Sequence, residues 1–285
     1  MPLKSIEKGN GIVSSDFRRW IIINGKGDYA LSLSVETSAL FSRIDCSVFD
    51  FLTKEKIQCI ETKAFPFGEK KYFPEKEGGK IIYRSEYCNL DISAFGDEAE
   101  LCCGLKRCFI HTECDAKIRL RRRASRSLSD GSQVEVFEAE GSVKVKNRTY
   151  EFSFDEDICI FEGRKSSRRK SGISVIGWGV SSEGIFGYSL DSENAKNNIV
   201  ILENELRAIG KVSFSGNRDN YMKCWFLENE DKSFRLSLNP FFNDHTESRL
   251  PFFERAEKLF CSAAGEGSFL KGTYAYLEIR DKKIR

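Results

Sequence analysis

Over much of this chain apolar and polar residues alternate one for one, and that period leaves little room for anything but β-strands. In Tyr29-Ala30-Leu31-Ser32-Leu33-Ser34-Val35 the large side chains fall on one face, and Ala30 with the serines on the other. The apolar run Trp20-Ile21-Ile22-Ile23 precedes it, and Asn24-Gly25-Lys26-Gly27 stands between. An Asn-Gly pair accepts the positive φ of a tight turn, so a β-hairpin is expected here. Residues 44–51 and 56–60 make another pair of the same kind. Further strand–turn–strand units are expected around Phe95-Gly96-Asp97, Asp130-Gly131, Lys146-Asn147-Arg148 and Glu183-Gly184. Short strands at this spacing predict an all-β sandwich or barrel. Helical periodicity is confined to residues 251–260, where Phe252, Phe253, Ala256, Leu259 and Phe260 fall roughly on one face; a strand is nearly as well supported there.

A hydrophobic content of 40% supplies a core, and the 31% of charged residues suits a solvated surface. The net charge of +2 offers no general attraction for nucleic acid or anionic membranes. The opening residues Met1-Pro2-Leu3-Lys4-Ser5-Ile6-Glu7-Lys8 lack the apolar stretch of a secretory signal, and no apolar run has the length of a transmembrane helix. A soluble protein of the cytoplasm is therefore expected. In that setting the ten cysteines are read as reduced, buried thiols acting as small hydrophobes. Cys103, Cys108 and Cys114 with His111 between them invite a zinc reading, but no paired Cys-x-x-Cys framework is present. No metal or cofactor is expected.

Residues 121–132 are polar and aperiodic, which predicts an exposed loop or linker and a division of the chain into units 1–125 and 126–285. A second loop is expected over 163–172. Two basic clusters, residues 117–126 and 164–170, suit phosphate contact with an anionic partner. Neither carries the aromatic side chains of a base-stacking surface, so solvated charge is the stronger reading and nucleic acid is not the expected partner.

Nucleophilic catalysis has little to build on. The two histidines, His111 and His245, are far apart, the latter in a polar stretch expected to be a loop, and no Gly-x-Ser-x-Gly elbow occurs. Gly177-Trp178-Gly179 lacks the lysine of a phosphate loop and predicts a bulge, or a close approach of backbone to a ligand or neighbour. The densest group of unusual residues is Arg218-Asp219-Asn220-Tyr221-Met222-Lys223-Cys224-Trp225. It reads either as part of a pocket, with Arg218 and Asp219 orienting a polar end of a ligand, or as a turn whose ion pair closes a strand end while Trp225 fills the core.

That block, with Glu138-Ala139-Glu140-Gly141 before it and Phe234-Arg235-Leu236-Ser237-Leu238-Asn239-Pro240 after it, resembles the bacterial family named domain of unknown function 2804. Arg18-Arg19-Trp20 and the strand after it resemble the family's opening, and the likeness runs from about residue 11 to 281. The family is similar to two-domain lipocalin-like proteins of the hydroxyneurosporene synthase and tocopherol cyclase type. The resemblance implies two calycin-like antiparallel β barrels or sandwiches side by side, with few helices, and it assigns no catalytic residue. The sequence departs from the family pattern in two places. Arg168-Arg169-Lys170 and Ile173-Ser174-Val175 stand where relatives carry aromatics, and the chain ends Lys282-Lys283-Ile284-Arg285 without a final tryptophan.

Three functions follow as expectations. The first is binding of a small apolar or amphipathic, lipid- or isoprenoid-like ligand, lined by Trp178, Arg218, Asp219, Tyr221 and Trp225. The second is a cyclase, hydratase or isomerase in which Asp219 or Glu162 donates a proton from a buried carboxyl. The third is attachment of an anionic partner to the basic clusters. Oligomeric state is not encoded in any motif.

Overall fold

The computed structural model describes residues 15–38, 41–64, 75–77, 80–84, 88–105, 114–127, 133–154, 156–165, 172–181, 184–202, 205–217, 219–246, 255–265 and 273–281. All but one short turn of 3₁₀ helix, Ala195–Asn197, is strand or connection. Strands β1 (Ser15–Ile23), β2 (Tyr29–Ser38), β3 (Phe41–Asp50) and β4 (Glu55–Ala64) form an antiparallel meander. Strands β5 (Glu75–Glu77), β6 (Lys80–Arg84), β7 (Cys88–Phe95), β8 (Glu98–Leu105), β9 (Cys114–Ser127) and β10 (Gln133–Val145) form a second. Strand β11 (Arg148–Phe152) folds back on β10, and β12 (Ile158–Lys165) inserts between β1 and β10, joining the meanders into one sheet of 12 strands.

The remaining strands make a sheet of nine. They are β13 (Gly172–Ser181), β14 (Gly184–Asp191), β15 (Ile199–Leu202), β16 (Glu205–Ala208), β17 (Val212–Ser215), β18 (Trp225–Asn229), β19 (Arg235–Thr246), β20 (Arg255–Gly265) and β21 (Thr273–Asp281). Its edges are β16 and β17, consecutive in the chain, so the sheet must curl until its edges meet across a three-residue link. Two asparagines hold that link. Asn198, fully buried, accepts from the Asp191 amide and donates to the Gly210 carbonyl, while Asn229 donates to the Ile209 carbonyl. Both sheets are thus curled antiparallel half-barrels, lipocalin-like in form, as the family resemblance implies.

Several local expectations meet the structure directly. The β1–β2 hairpin forms, but its positive φ falls at Gly27 (71°) rather than at the Asn-Gly pair. Asn24 instead caps the turn with its side-chain oxygen, accepting from the amides of Asp28 and Tyr29. The close approach expected at Gly177 is real: a Cβ there would fall 2.1 Å from the ring of Tyr188, its register partner on β14.

Three expectations are corrected. Residues 121–127 are not a loop but the end of β9, paired along β10, and Arg121, Arg122 and Arg123 each find a carboxylate on that strand. The stretch holding His245 is strand up to Thr246, because β19 runs on alongside β20. Of the helix candidate, residues 255–260 are strand: Leu259 faces the interior of the smaller sheet and Phe260 the other side. Residues 128–132 and 251–254 lie outside the described residues. Strands β10, β11 and β12 belong to the larger sheet, and the smaller sheet begins with β13 at Gly172. Among the described residues no helix is long and apolar enough to cross a membrane.

Three buried clusters result among the described residues. Trp20, Ile22, Leu31, Leu33, Phe137 and Phe161 are among those filling the larger sheet, and Val175, Tyr188, Trp225 and Leu238 among those filling the smaller. The third lies in the seam where the sheets meet back to back, and takes side chains from both.

Candidate functional site

The seam draws on strands that are buried on both faces. On β1, Trp20 and Ile22 point into the larger half-barrel, which sends Arg19, Ile21 and Ile23 to the seam by the period of two. On β12 the same rule sends Ile158, Ile160 and Glu162 there, and Arg19 is directly opposite Glu162 in the register. On β21, Ala275, Leu277 and Ile279 point into the smaller half-barrel, leaving Tyr274, Tyr276 and Glu278 on the seam face.

A charged group is therefore built between the sheets. The Arg19 guanidinium donates from Nη2 to Glu162 at 2.6 Å and from Nη1 to Glu278 at 3.1 Å, with the Tyr276 hydroxyl 3.5 Å from Nη1. Arg19 is 4% exposed, Glu162 4% and Glu278 1%, so these ions interact out of water. The guanidinium also lies over the rings of Tyr276 (4.8 Å) and Phe17 (5.6 Å). Burial works against the Arg19 charge, but Glu162, Glu278 and Tyr276 outweigh it and hold the arginine protonated well above its ordinary range. The Arg19 Nε is buried with no hydrogen-bond partner among the described residues.

From this group a run of aromatic contacts leads outward. Tyr276 meets Phe260 at 5.2 Å, and Phe260 meets Phe49 at 4.7 Å and Phe51 at 5.0 Å. Phe51 meets Phe241 at 4.9 Å and Phe242 at 5.6 Å, and Phe241 meets Tyr274 at 6.4 Å. Neighbours on a regular strand face opposite ways. Phe241 and Phe242 can both reach Phe51 because the β19–β20 register slips between Pro240 and Phe242. Phe51, Phe241, Phe242 and Tyr274 are partly exposed, whereas Phe260 is fully buried, so the run passes from the surface to the Arg19 group. Tyr274 also donates to the Lys26 carbonyl at 2.9 Å, tying β21 to the first hairpin.

The residues singled out from sequence are distributed differently. Trp178 is buried in the seam cluster, opposite Tyr274 in the register. Trp225 is in the interior of the smaller half-barrel with Tyr221 packed against it, and its indole donates to the Tyr221 carbonyl at 3.1 Å. Asp219 is on an exposed turn whose amide is held by Asn217, and Arg218 lies outside the described residues. Of the two candidate proton donors, Glu162 is thus buried beside an arginine and Asp219 faces water. Sequence reading did not single out Glu278, Tyr276 or the phenylalanines at 49, 51, 241, 242 and 260. The signal for the charged ones was present: Glu278 interrupts an apolar run on β21, Glu162 ends the run Ile158 to Phe161, and Arg19 directly precedes Trp20 to Ile23.

The first basic cluster has its charge answered locally. Arg119 pairs with Glu140, Arg122 with Asp97 and Glu135, and Arg121 and Arg123 with Glu138. The second, at 164–170, falls almost wholly outside the described residues. Eight cysteines whose side chains are described are free thiols, and six of these are buried. Cys46 and Cys114 approach to 3.5 Å in the larger half-barrel, and burial pushes the Cys159 and Cys261 thiols well up. Cys108 and His111 lie outside the described residues.

A family model described as domain of unknown function (DUF2804) matches residues 5–260. The chain belongs to that family. No curated protein matches it. Among solved structures it is similar to kievitone hydratase from Nectria haematococca, with a TM-score of 0.57 at 12% identity over 93% of this chain and 88% of that one. It is likewise similar to CghA with Sch210972, with a TM-score of 0.57 at 8% identity over 94% of this chain and 88% of that one. A second CghA structure gives 0.56 at 8% identity, over 96% and 90%. At such identities the likeness is one of fold: the paired, curled, lipocalin-like sheets run nearly the full length of both chains.

Proposed function

We propose that this protein binds a small apolar or amphipathic molecule in the seam between its two sheets. The observation that carries the reading is the continuous aromatic run from partly exposed Phe241 and Tyr274 to the buried Arg19–Glu162–Glu278 group. A flat or isoprenoid body gains by leaving water along such a wall, and a few fixed polar groups at its end orient it. The neutral dye N-phenyl-1-naphthylamine is the direct probe. Its fluorescence should rise on binding, and Phe241→Asp, a charge on the half-exposed part of the wall, should weaken binding at least tenfold with the fold intact. Organic extraction of the purified protein should release an apolar molecule detectable by mass spectrometry. A dye that ignores the protein, or binds the Phe241→Asp form equally well, would sink the proposal.

A second reading is favoured by the buried carboxyls. A group that both holds and releases a proton next to an apolar body is what hydration, cyclisation or isomerisation of an alkene needs. The similarity in fold to kievitone hydratase lends it support. Glu162 is its candidate: held ionised by Arg19 at 2.6 Å, it takes a proton from carbon first and then returns one. Incubation with isoprenoid alkenes in deuterium oxide should then place deuterium on carbon, and Glu162→Gln should remove that incorporation while leaving dye binding within about threefold. Equal incorporation by both forms would end this reading.

A further inference from the structure

We infer that the seam site accepts a neutral ligand whose polar end is one hydroxyl or carbonyl oxygen, received by Arg19 Nε–H, and that it turns away carboxylic acids. This rests on the binding reading above and adds the chemistry of the ligand's head. Both terminal nitrogens of the Arg19 guanidinium are engaged, Nη2 by Glu162 and Nη1 by Glu278. The two-pronged face with which an arginine grips a carboxylate is therefore already occupied from within the chain. The guanidinium nitrogen that remains is Nε, whose N–H is buried and without a partner among the described residues. A buried donor left unsatisfied is costly, and one oxygen acceptor relieves it. An ionised acid would be a third carboxylate against one guanidinium, in a place where Arg19, Glu162 and Glu278 are each no more than 4% exposed. Like charges held out of water repel strongly, and no second terminal nitrogen of Arg19 is left to compensate. The body of the ligand follows from the rings that lead to the site: aromatic or polyene, thin enough to lie against Tyr276 and Phe260.

Two matched series read this out at neutral pH. The first is naphthalene, 2-naphthol, 2-naphthaldehyde and 2-naphthoate; the second is retinol, retinal and retinoate. Each is measured by displacement of N-phenyl-1-naphthylamine and by quenching of protein tryptophan fluorescence. The expected order is alcohol and aldehyde at least tenfold tighter than both the hydrocarbon and the acid. Glu278→Gln, which removes one carboxylate without changing its shape, should raise the affinity for the acid relative to that for the alcohol at least threefold. The wild-type ratios need no variant, so they stand even if Glu278→Gln fails to fold. Acid binding as tightly as alcohol, or naphthalene binding as tightly as 2-naphthol, would overturn this inference while leaving a binding seam in place. If neither the dye nor any member of the series binds, the proposed function falls and this inference with it.

Discussion

Arg19→Met should lower the stability of this protein by about 3–5 kcal/mol, because it leaves two carboxylates in the seam without the cation that holds them. For a chain of this size that corresponds to a fall in melting temperature of roughly 5–8 °C. The effect is large because of where the ion pairs are. A guanidinium on the surface would contribute a fraction of a kcal/mol, as the Arg119–Glu140 pair at 65% and 38% exposure is expected to. Arg19 is 4% exposed and its partners 6% and 1% over their side chains, so water does not screen the loss. Most of the cost is the penalty of stranded charge, not the net worth of the pairs. The triple change Arg19→Met with Glu162→Gln and Glu278→Gln should therefore recover most of the stability, the opposite of what additive contacts would give. Urea unfolding of the single and triple variants measures this. A loss below about 1 kcal/mol in Arg19→Met would mean that the carboxylates reach water or another cation, and the seam would then not be the dry site described.

Phe260→Ala is expected to cost a similar amount, about 3–5 kcal/mol, for a different reason. The ring is fully buried and touches Phe49 and Phe51 of the larger sheet as well as Phe242 and Tyr276 of its own. Its removal opens a void in the seam and weakens the docking of one half-barrel on the other. The neighbouring residue supplies a control. Leu259 is equally buried but points into the smaller half-barrel, so Leu259→Ala should destabilise without involving the other sheet. A double-mutant cycle separates the two. Phe260→Ala should couple to Phe49→Ala by about 0.5–1.5 kcal/mol, the range for a packed aromatic pair. Leu259→Ala should couple to it by less than about 0.5 kcal/mol. Equal coupling would mean that the seam is not where Phe260 does its work.

How far the site could be read in advance differs from residue to residue. Glu162 was named as one of two candidate proton donors, and Trp178 as a tryptophan between glycines. Both belong to the seam side of the structure. The block around Arg218 to Trp225 drew attention because its residue types are rare together. Yet Trp225 and Tyr221 pack inside the smaller half-barrel while Asp219 turns to solvent. Composition reveals that a segment is unusual, but not which side of a curled sheet it serves. The basic run on β9 misled for a related reason: its arginines were visible, and the carboxylates that answer them are on β10 and in the turn between β7 and β8, outside the window.

The sequence by itself determined that this chain is made of antiparallel strands and where most hairpins turn. Alternation and turn chemistry are local, acting between residues a few positions apart. Tertiary structure decided which of two apolar faces looks into a barrel and which into the seam. For a strand such as Trp20-Ile21-Ile22-Ile23 both faces are apolar, and no local pattern distinguishes them. It also decided the site. Arg19 meets Glu278 across 259 positions of chain, and the bond exists only because the middle strands of two curled sheets, β1 with β12 and β21, are brought back to back. The charge on each residue was legible; the burial that gives that charge its energy came from the docking of the two sheets.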